Sequence, residues 1–281
     1  MATLTAAPPQ NATRLNTIAN PGIWLPAWTL WQREIVRFYR QKARVVGVIA
    51  SPLIFWLVLG SGFAHSFQSS PGGNSASGHY LGYFFPGSIA MIVLFTAIFS
   101  MMSLIQDRNE GFLLSVLAAP VSRSAIVLGK VLGGATLAAI QGIVFLVFAP
   151  FVGVHLNVVS IALSALVIVM ISFELTALGF AVAWPMDSTQ AFHAIVNIIL
   201  LPLWMLSGAL FPASGASGWL RVLMRLNPLS YGVDALRNTL FPAVATEFPL
   251  AINLIVTLGF CLLTFAASWA IVNRRTNKPA A

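Results

Sequence analysis

Acidic side chains are scarce in this chain: seven Asp and Glu stand against fifteen Lys and Arg, and charged residues make up only 8% of its length. A soluble domain carries roughly 25% charged residues, so a water-soluble fold is excluded for want of polar surface. Cysteine is nearly absent. The one cysteine, Cys261, lies in an apolar run, which excludes a disulfide framework or a thiolate metal site within one chain. The histidines His65, His79, His155 and His193 are scattered, with no two at ligand spacing. No Gly-x-x-x-x-Gly-Lys-Ser/Thr phosphate loop occurs, because Gly129-Lys130 lacks the Gly-rich approach and the hydroxyl residue.

What is present is apolar: 58% of the 281 residues are hydrophobic and the mean hydropathy is +0.86. Lipid is the solvent this composition suits, and each helical span needs about 20 mainly apolar residues. Six stretches qualify, at 45–63, 83–105, 125–152, 158–184, 191–212 and 249–272. The first is interrupted by Pro52, which a membrane helix tolerates where neighbours satisfy the freed carbonyl. The expected fold is an all-α integral membrane protein. Its domain from 45 to 272 carries six transmembrane helices, flanked by a disordered cytoplasmic tail at 1–20 and another at 273–281. The first twenty residues hold no apolar core of a signal peptide. A net charge of +8 raises nucleic acid as a partner, but the basic residues form no continuous groove, so none is expected.

Charge placement sets the orientation, since cytoplasmic flanks retain Lys and Arg. With both termini in the cytoplasm of an inner (plasma) membrane, twelve of the fifteen basic residues fall inside. Lys130, Arg108 and Arg123 are among them. Only Arg221, Arg225 and Arg237 fall outside, in the 213–248 connection.

Residues 21–44 form an amphipathic interfacial helix by their spacing. At about 100° per residue, Trp24, Trp28, Trp31, Ile35 and Phe38 share a stripe, while Arg33, Arg37, Arg40 and Arg44 lie nearly opposite. Indoles would sit at headgroup depth and guanidinium groups face phosphates and water. A soluble helix packed on another domain has the same pattern, but this chain offers no soluble domain to receive it.

Between the second and third stretches runs 106–123, where Asp107, Arg108 and Glu110 suit a helix N-terminus and Phe112, Leu113, Val116 and Leu117 follow at amphipathic spacing. Pro120 ends it. Such a helix suits a groove on a soluble partner, although an ordinary interfacial helix looks similar. Glu110, Gly111, Pro120, Val121 and Arg123 resemble the coupling-helix region of type-2 ABC transporter permeases, especially drug-export members. Gly129-Lys130-Val131-Leu132-Gly133 is similar to that family's entry to the third span. Asn227-Pro228-Leu229-Ser230-Tyr231, with Asp234, Ala235 and Arg237, resembles its signature between the fifth and sixth spans.

The resemblance covers nearly the whole chain and implies a dimer of six-span subunits, homo- or heteromeric, with one ATP-binding cassette ATPase docked on each coupling helix. ATP and Mg would be bound by the partner and no cofactor by this chain, which would itself be no enzyme. Asp107, Arg108, Glu110, Gly111, Phe112, Leu113, Pro120 and Arg123 would then couple to the ATPase.

Pro202, Ser207-Gly208 and Phe211-Pro212 break the end of the fifth stretch, and Trp219, Leu220, Leu223, Met224 and Leu226 keep helical spacing beyond it. A re-entrant helical segment on the outer side and a long outer loop both fit, and the resemblance favours the first. Asn227, Pro228, Tyr231, Asp234 and Arg237 form its motif. Glu174 is an acid deep in a span, which insertion scales penalise by about 2.5–3.5 kcal/mol. It would either pair with a cationic substrate or bond nearby Ser172 or Thr176 while protonated; no intramembrane Lys or Arg is evident as a partner. Asp187 and His193 border the turn between the fourth and fifth spans and suit a surface role better than a proton relay. Phe95, Phe99, Asn197 and Met205 are pathway candidates by family analogy, although aromatic and Met residues also pack against plain lipid.

Three functions follow. An exporter permease moving an amphipathic drug-like molecule, lipid or glycan outward is the first. An ion-coupled secondary transporter using Glu174 is the alternative, against which stand the missing inverted repeats. A membrane enzyme or assembly factor comes last.

Overall fold

A computed structural model of the chain describes residues 22–40, 42–62, 80–154, 157–242, 244 and 246–274. The tails expected at 1–20 and 273–281, Asn273 and Arg274 excepted, lie outside them, as do residues 64–79. The described residues are all-helical, with no strand among them.

Five segments are long and apolar enough to cross a membrane: Tyr80–Asn109, Arg123–Val152, Val158–Ala183, Thr189–Ala209 and Leu250–Asn273. Each overlaps one of the expected stretches. Ahead of them come α1 (Trp24–Arg40) and α2 (Lys42–Gly62). The 45–63 stretch falls on α2 as far as Gly62, and its Pro52–Gly62 part is a shorter apolar helix.

Tyr80–Asn109 is one rod of two helices, α3 (Tyr80–Ser100) and α4 (Met102–Asn109), joined through Met101 with helical φ −74° and ψ −9°. Gly111 ends it at φ 77°, a left-handed conformation that disfavours any side chain with a Cβ. A short helix α5 (Phe112–Ala118) follows, and Pro120 closes it. Then come α6 (Arg123–Phe145) with a 3-10 continuation, and α7 (Val158–Ala183), whose start is a reciprocal capping box of Asn157 and Ser160. α8 (Thr189–Trp204) runs into a widened turn at Met205–Ala209. Two short helices, α9 (Gly218–Leu226) and α10 (Pro228–Leu240), precede α11 (Leu250–Asn273).

α7 stands at the centre, packed by α6, α11, α3 and α10. A helix apolar on all sides suits that place. α10 is mostly buried against α7 and α11, whereas α9 buries only Met224.

The seat of α1 gives it a buried face that the expected stripe, Phe38 excepted, did not include. Its buried residues are Ala27, Leu30, Glu34 and Phe38, while Trp24 and Trp28 stay exposed. The cause lies on α6, where Gly129 and Gly133 let the two backbones meet. A Cβ at Gly129 would come 2.7 Å from the Ala27 carbonyl oxygen, and one at Gly133 would come 2.8 Å from Glu34 Cβ. Small residues four apart make this close crossing possible, and bulky indoles are turned away from it. Trp31 alone of the three tryptophans reaches α6, where its indole N–H donates to Thr136 Oγ1 at 3.0 Å.

Candidate functional site

Three helices converge on a buried charge cluster at the end of the bundle that carries α5. Lys130 on α6 is 1% exposed, and its ammonium contacts Glu34 of α1 at 2.6 Å and the Asp107 carboxylate of α4. Ser103 fills the remaining gap, donating to Glu34 at 2.7 Å and accepting from Lys130 at 3.2 Å. Arg33 grips Asp107 with both arms at 2.8 and 2.7 Å. Arg37 reaches Asp107 at 2.8 Å, Gln106 at 2.9 Å and Glu110 at 3.7 Å. Three cations thus face three carboxylates, and such neutralisation is what allows charge to be buried.

This geometry changes the reading of several residues. Arg33 and Arg37, expected to face phosphates and water, turn onto Asp107, because α1 lies on α6 rather than flat on a lipid surface alone. Arg40 stays exposed. Asp107 and Arg108 close α4 and do not open α5: the helix runs on to Asn109 before Gly111 breaks it. Asp107 is fully buried, so any part it plays at a docking surface passes through the cluster. Arg108 donates to the Trp184 and Met186 carbonyls at 2.5 and 2.7 Å and to Asp187 at 3.0 Å, capping the end of α7. Glu110 is exposed at the kink. Lys130, which charge counting assigned to a flank, is buried inside the helix packing, so a basic residue within a span was missed, together with its partner Glu34.

α5 itself faces two ways. Leu113 is buried, and Phe112 packs beneath the Arg33 guanidinium at 3.7 Å. The expected apolar face of Phe112, Leu113, Val116 and Leu117 therefore turns mainly inward. What α5 displays is Leu114, 66% exposed, with Leu117 and the exposed Pro120 beside it. Arg123 donates to the Val272 carbonyl at 3.1 Å, tying the start of α6 to the end of α11.

At the opposite end, the broken terminus of α8 leaves carbonyls without helical partners, and side chains take them. Asn227 Nδ2 donates to the Leu203 carbonyl at 2.6 Å, and Ser230 donates to Leu206 at 3.2 Å. Gly208, at φ 76°, accepts from Tyr83 at 2.8 Å and from Arg237 at 3.1 Å. Asn227 also caps α10 through Leu229 N, with Pro228 at the first helical position. Tyr231 donates to the Arg225 carbonyl, and Asp234 pairs with Arg237 at 2.7 Å. Burial pushes the Asp234 carboxyl above its ordinary range, opposed by Arg237. All five motif residues thus serve one clasp. Beside it opens a cavity of about 590 Å³ walled by Arg221, Arg225, Arg237, Asp234, Glu247 and Tyr231.

The pathway candidates are spread over α3, α8 with its widened turn, and α7. Phe95 and Phe99 stack at 5.8 Å on α3, and Phe99 meets the His193 ring of α8 at 5.0 Å. Asn197 and Met205 are exposed further along α8. Glu174 lies apart, 2% exposed on the central helix α7, and neither carboxylate oxygen has a hydrogen-bond partner among the described residues. The expected local bonds are not made, because Ser172 and Thr176 donate to the Ile168 and Ser172 carbonyls of their own helix. No cluster of three metal-ligating side chains occurs among the described residues.

Long apolar helices packed on one another define a multi-pass membrane protein. Residues 27–241 match the ABC-2 type transporter family, and the chain belongs to it. Its relatives include ycf38 of Cyanophora paradoxa, described as a transport permease, 28% identical over 75% of this chain and 72% of that protein. Nodulation protein J of Rhizobium meliloti is 24% identical over 92% and 95% of the two chains. The daunorubicin resistance ABC transporter permease protein DrrB1 of Streptomyces coeruleorubidus is 22% identical over 74% and 72%.

Proposed function

We propose that the chain is the permease of an ATP-driven exporter, in which α5 is the coupling helix for a separate ATP-binding cassette ATPase. One observation carries this reading: α5 hangs from the left-handed Gly111 immediately beyond the Asp107 cluster, presenting exposed Leu114 and Leu117. A push on α5 is then transmitted to α1 and α6 together, because Asp107, Arg33, Arg37, Glu34 and Lys130 bind α4, α1 and α6 into one unit.

In this reading α2 is the first of six spans, both termini are cytoplasmic in the plasma membrane, and α9 and α10 are the outer re-entrant segment. Two permease chains, identical or different, assemble with two ATPases, which alone bind ATP and Mg. Residues 1–20 and 273–281 are cytoplasmic tails, and 21–44 is the interfacial helix. The cargo is an amphipathic drug-like molecule, lipid or glycan, moved outward past Phe95, Phe99, Asn197 and Met205. The drug-resistance name of one relative supports the drug-like class. Substrate-stimulated ATP hydrolysis in liposomes tests the coupling: Gly111→Val or Glu110→Ala leaves the permease inserted but abolishes stimulation. Undiminished ATP-driven transport in both variants removes α5 from this role.

Glu174, with both oxygens unpartnered among the described residues, favours a second reading as an ion-coupled transporter. Transport driven by an imposed proton gradient without ATP, lost in Glu174→Gln, would establish it instead.

A further inference from the structure

We propose that the cavity between α9 and α10 binds the anionic head of an amphiphile, a phosphate or carboxylate group, through Arg221 and Arg225. Three guanidinium groups and two carboxylates line the cavity. Arg237 is matched by Asp234 at 2.7 Å and Arg225 by Glu247 at 2.6 Å. Arg221 has no carboxylate partner among the described residues. The wall therefore keeps one positive charge in excess.

Arg221 is also held ready. Its Nε donates to the Ala213 carbonyl at 3.0 Å, and its Nη2 to Ser214 at 3.0 Å and Ala216 at 3.4 Å. Those bonds fix the guanidinium plane and leave Nη1 without a partner among the described residues. Arg225, one turn further along α9, likewise spends Nε and Nη2 on Glu247 and keeps Nη1. Residues four apart share a helix face, so the two spare donors belong to one side of α9. Planar guanidinium donors in that arrangement suit the oxygens of phosphate or carboxylate.

The rest of α9 says that the anion carries an apolar chain. Trp219, Val222, Leu223 and Leu226 are exposed at 69%, 56%, 42% and 72%, so the helix shows an apolar side away from its arginines. A helix of that kind lies in the membrane interface with its cations at headgroup depth. The volume of about 590 Å³ is within the roughly 300–1,000 Å³ of small-molecule sites, and Tyr231 stacked on Phe248 at 5.5 Å supplies an apolar wall beside the charges. Assignment to the outer leaflet rests on the proposed topology; recognition of the anion does not.

The test uses the purified full chain in phosphatidylcholine nanodiscs, without an ATPase, so that failure of the exporter reading leaves it intact. Dihexanoyl-phosphatidic acid, dihexanoyl-phosphatidylcholine and inorganic phosphate are titrated by calorimetry. The phosphatidic acid is expected to bind at one site and the zwitterion not to. Arg221→Gln weakens binding about tenfold, as loss of a charge-assisted hydrogen bond does. Glu247→Gln removes a wall anion, frees Arg225 and tightens binding severalfold; it guards against a local collapse caused by losing the Arg221 carbonyl bonds. Inorganic phosphate competing as well as the lipid identifies a free anion as the ligand, and poor competition identifies the lipid head. Equal affinity for the zwitterion, or affinity unmoved by both substitutions, overturns the proposal.

Discussion

Lys130 on α6 lies 2.6 Å from Glu34 on α1, with both side chains shut away from solvent although the two stand 96 positions apart in the chain. Lys130 is the close cation that balances Glu34, while Asp107 is shared among Lys130, Arg33 and Arg37. The pair, extended through Asp107, fastens an amphipathic helix to the end of the span that bears α5.

Breaking the cluster from one side should therefore be more damaging than dissolving it. Lys130→Met strands the buried Glu34 carboxylate, while Asp107 keeps Arg33 and Arg37, and is expected to destabilise the chain by about 3–5 kcal/mol. Adding Glu34→Gln to that variant recovers part of the loss. Thermal unfolding in detergent measures both, and a double variant as unstable as the sum of its two singles argues against coupling across the α1–α6 seam.

The clasp at the other end makes a separate prediction. Asn227→Ala leaves the Leu203 carbonyl unbonded and removes the cap of α10, a combined loss of about 1–3 kcal/mol. Hydrogen exchange should rise locally at 203–210 and 227–231 while α6 and α7 stay protected. Uniform loss of protection through the bundle contradicts a local clasp.

Asp234 predicts a pH dependence. Burial raises its carboxyl pKa above the ordinary 3.8, so the folded chain holds the proton more tightly than the unfolded one. That contribution to stability is full below the unfolded value and drains away as pH rises through the folded one. Unfolding temperatures of the native chain and of Asp234→Asn, compared from about pH 4 to pH 8, should show the native chain losing ground as pH rises. A native chain that gains on the variant over that range contradicts the assigned shift.

The long apolar segments were legible because hydropathy and length alone determine them. The end of α5 at Pro120 was legible as local chemistry, whereas Gly111 and Asn227-Pro228 stood out only through the family resemblance, which gave neither the kink nor the cap. Lys130 was not legible, because charge counting assigned it to the cytoplasmic flank although it lies near the start of the 125–152 stretch, while its burial depends on Glu34 and Asp107 arriving from distant helices. Which side of α1 meets the bundle was not legible either: Gly129 and Gly133 on α6 let Ala27, Leu30 and Glu34 approach, and Trp24 and Trp28 stay exposed. The carbonyls held by Asn227, Ser230 and Arg237 belong to a break in another helix, and no reading of the motif by itself reaches them.

The central claim is that α5 meets an ATPase, and a photoreactive benzoylphenylalanine at position 114 of the full chain tests it most directly. Illuminated in the native membrane, with adducts identified by mass spectrometry, position 114 is expected to capture an ATP-binding cassette ATPase. Position 219, at the opposite end of the bundle, is expected to capture lipid. ATPase adducts from 219, or lipid alone from 114, would contradict the account.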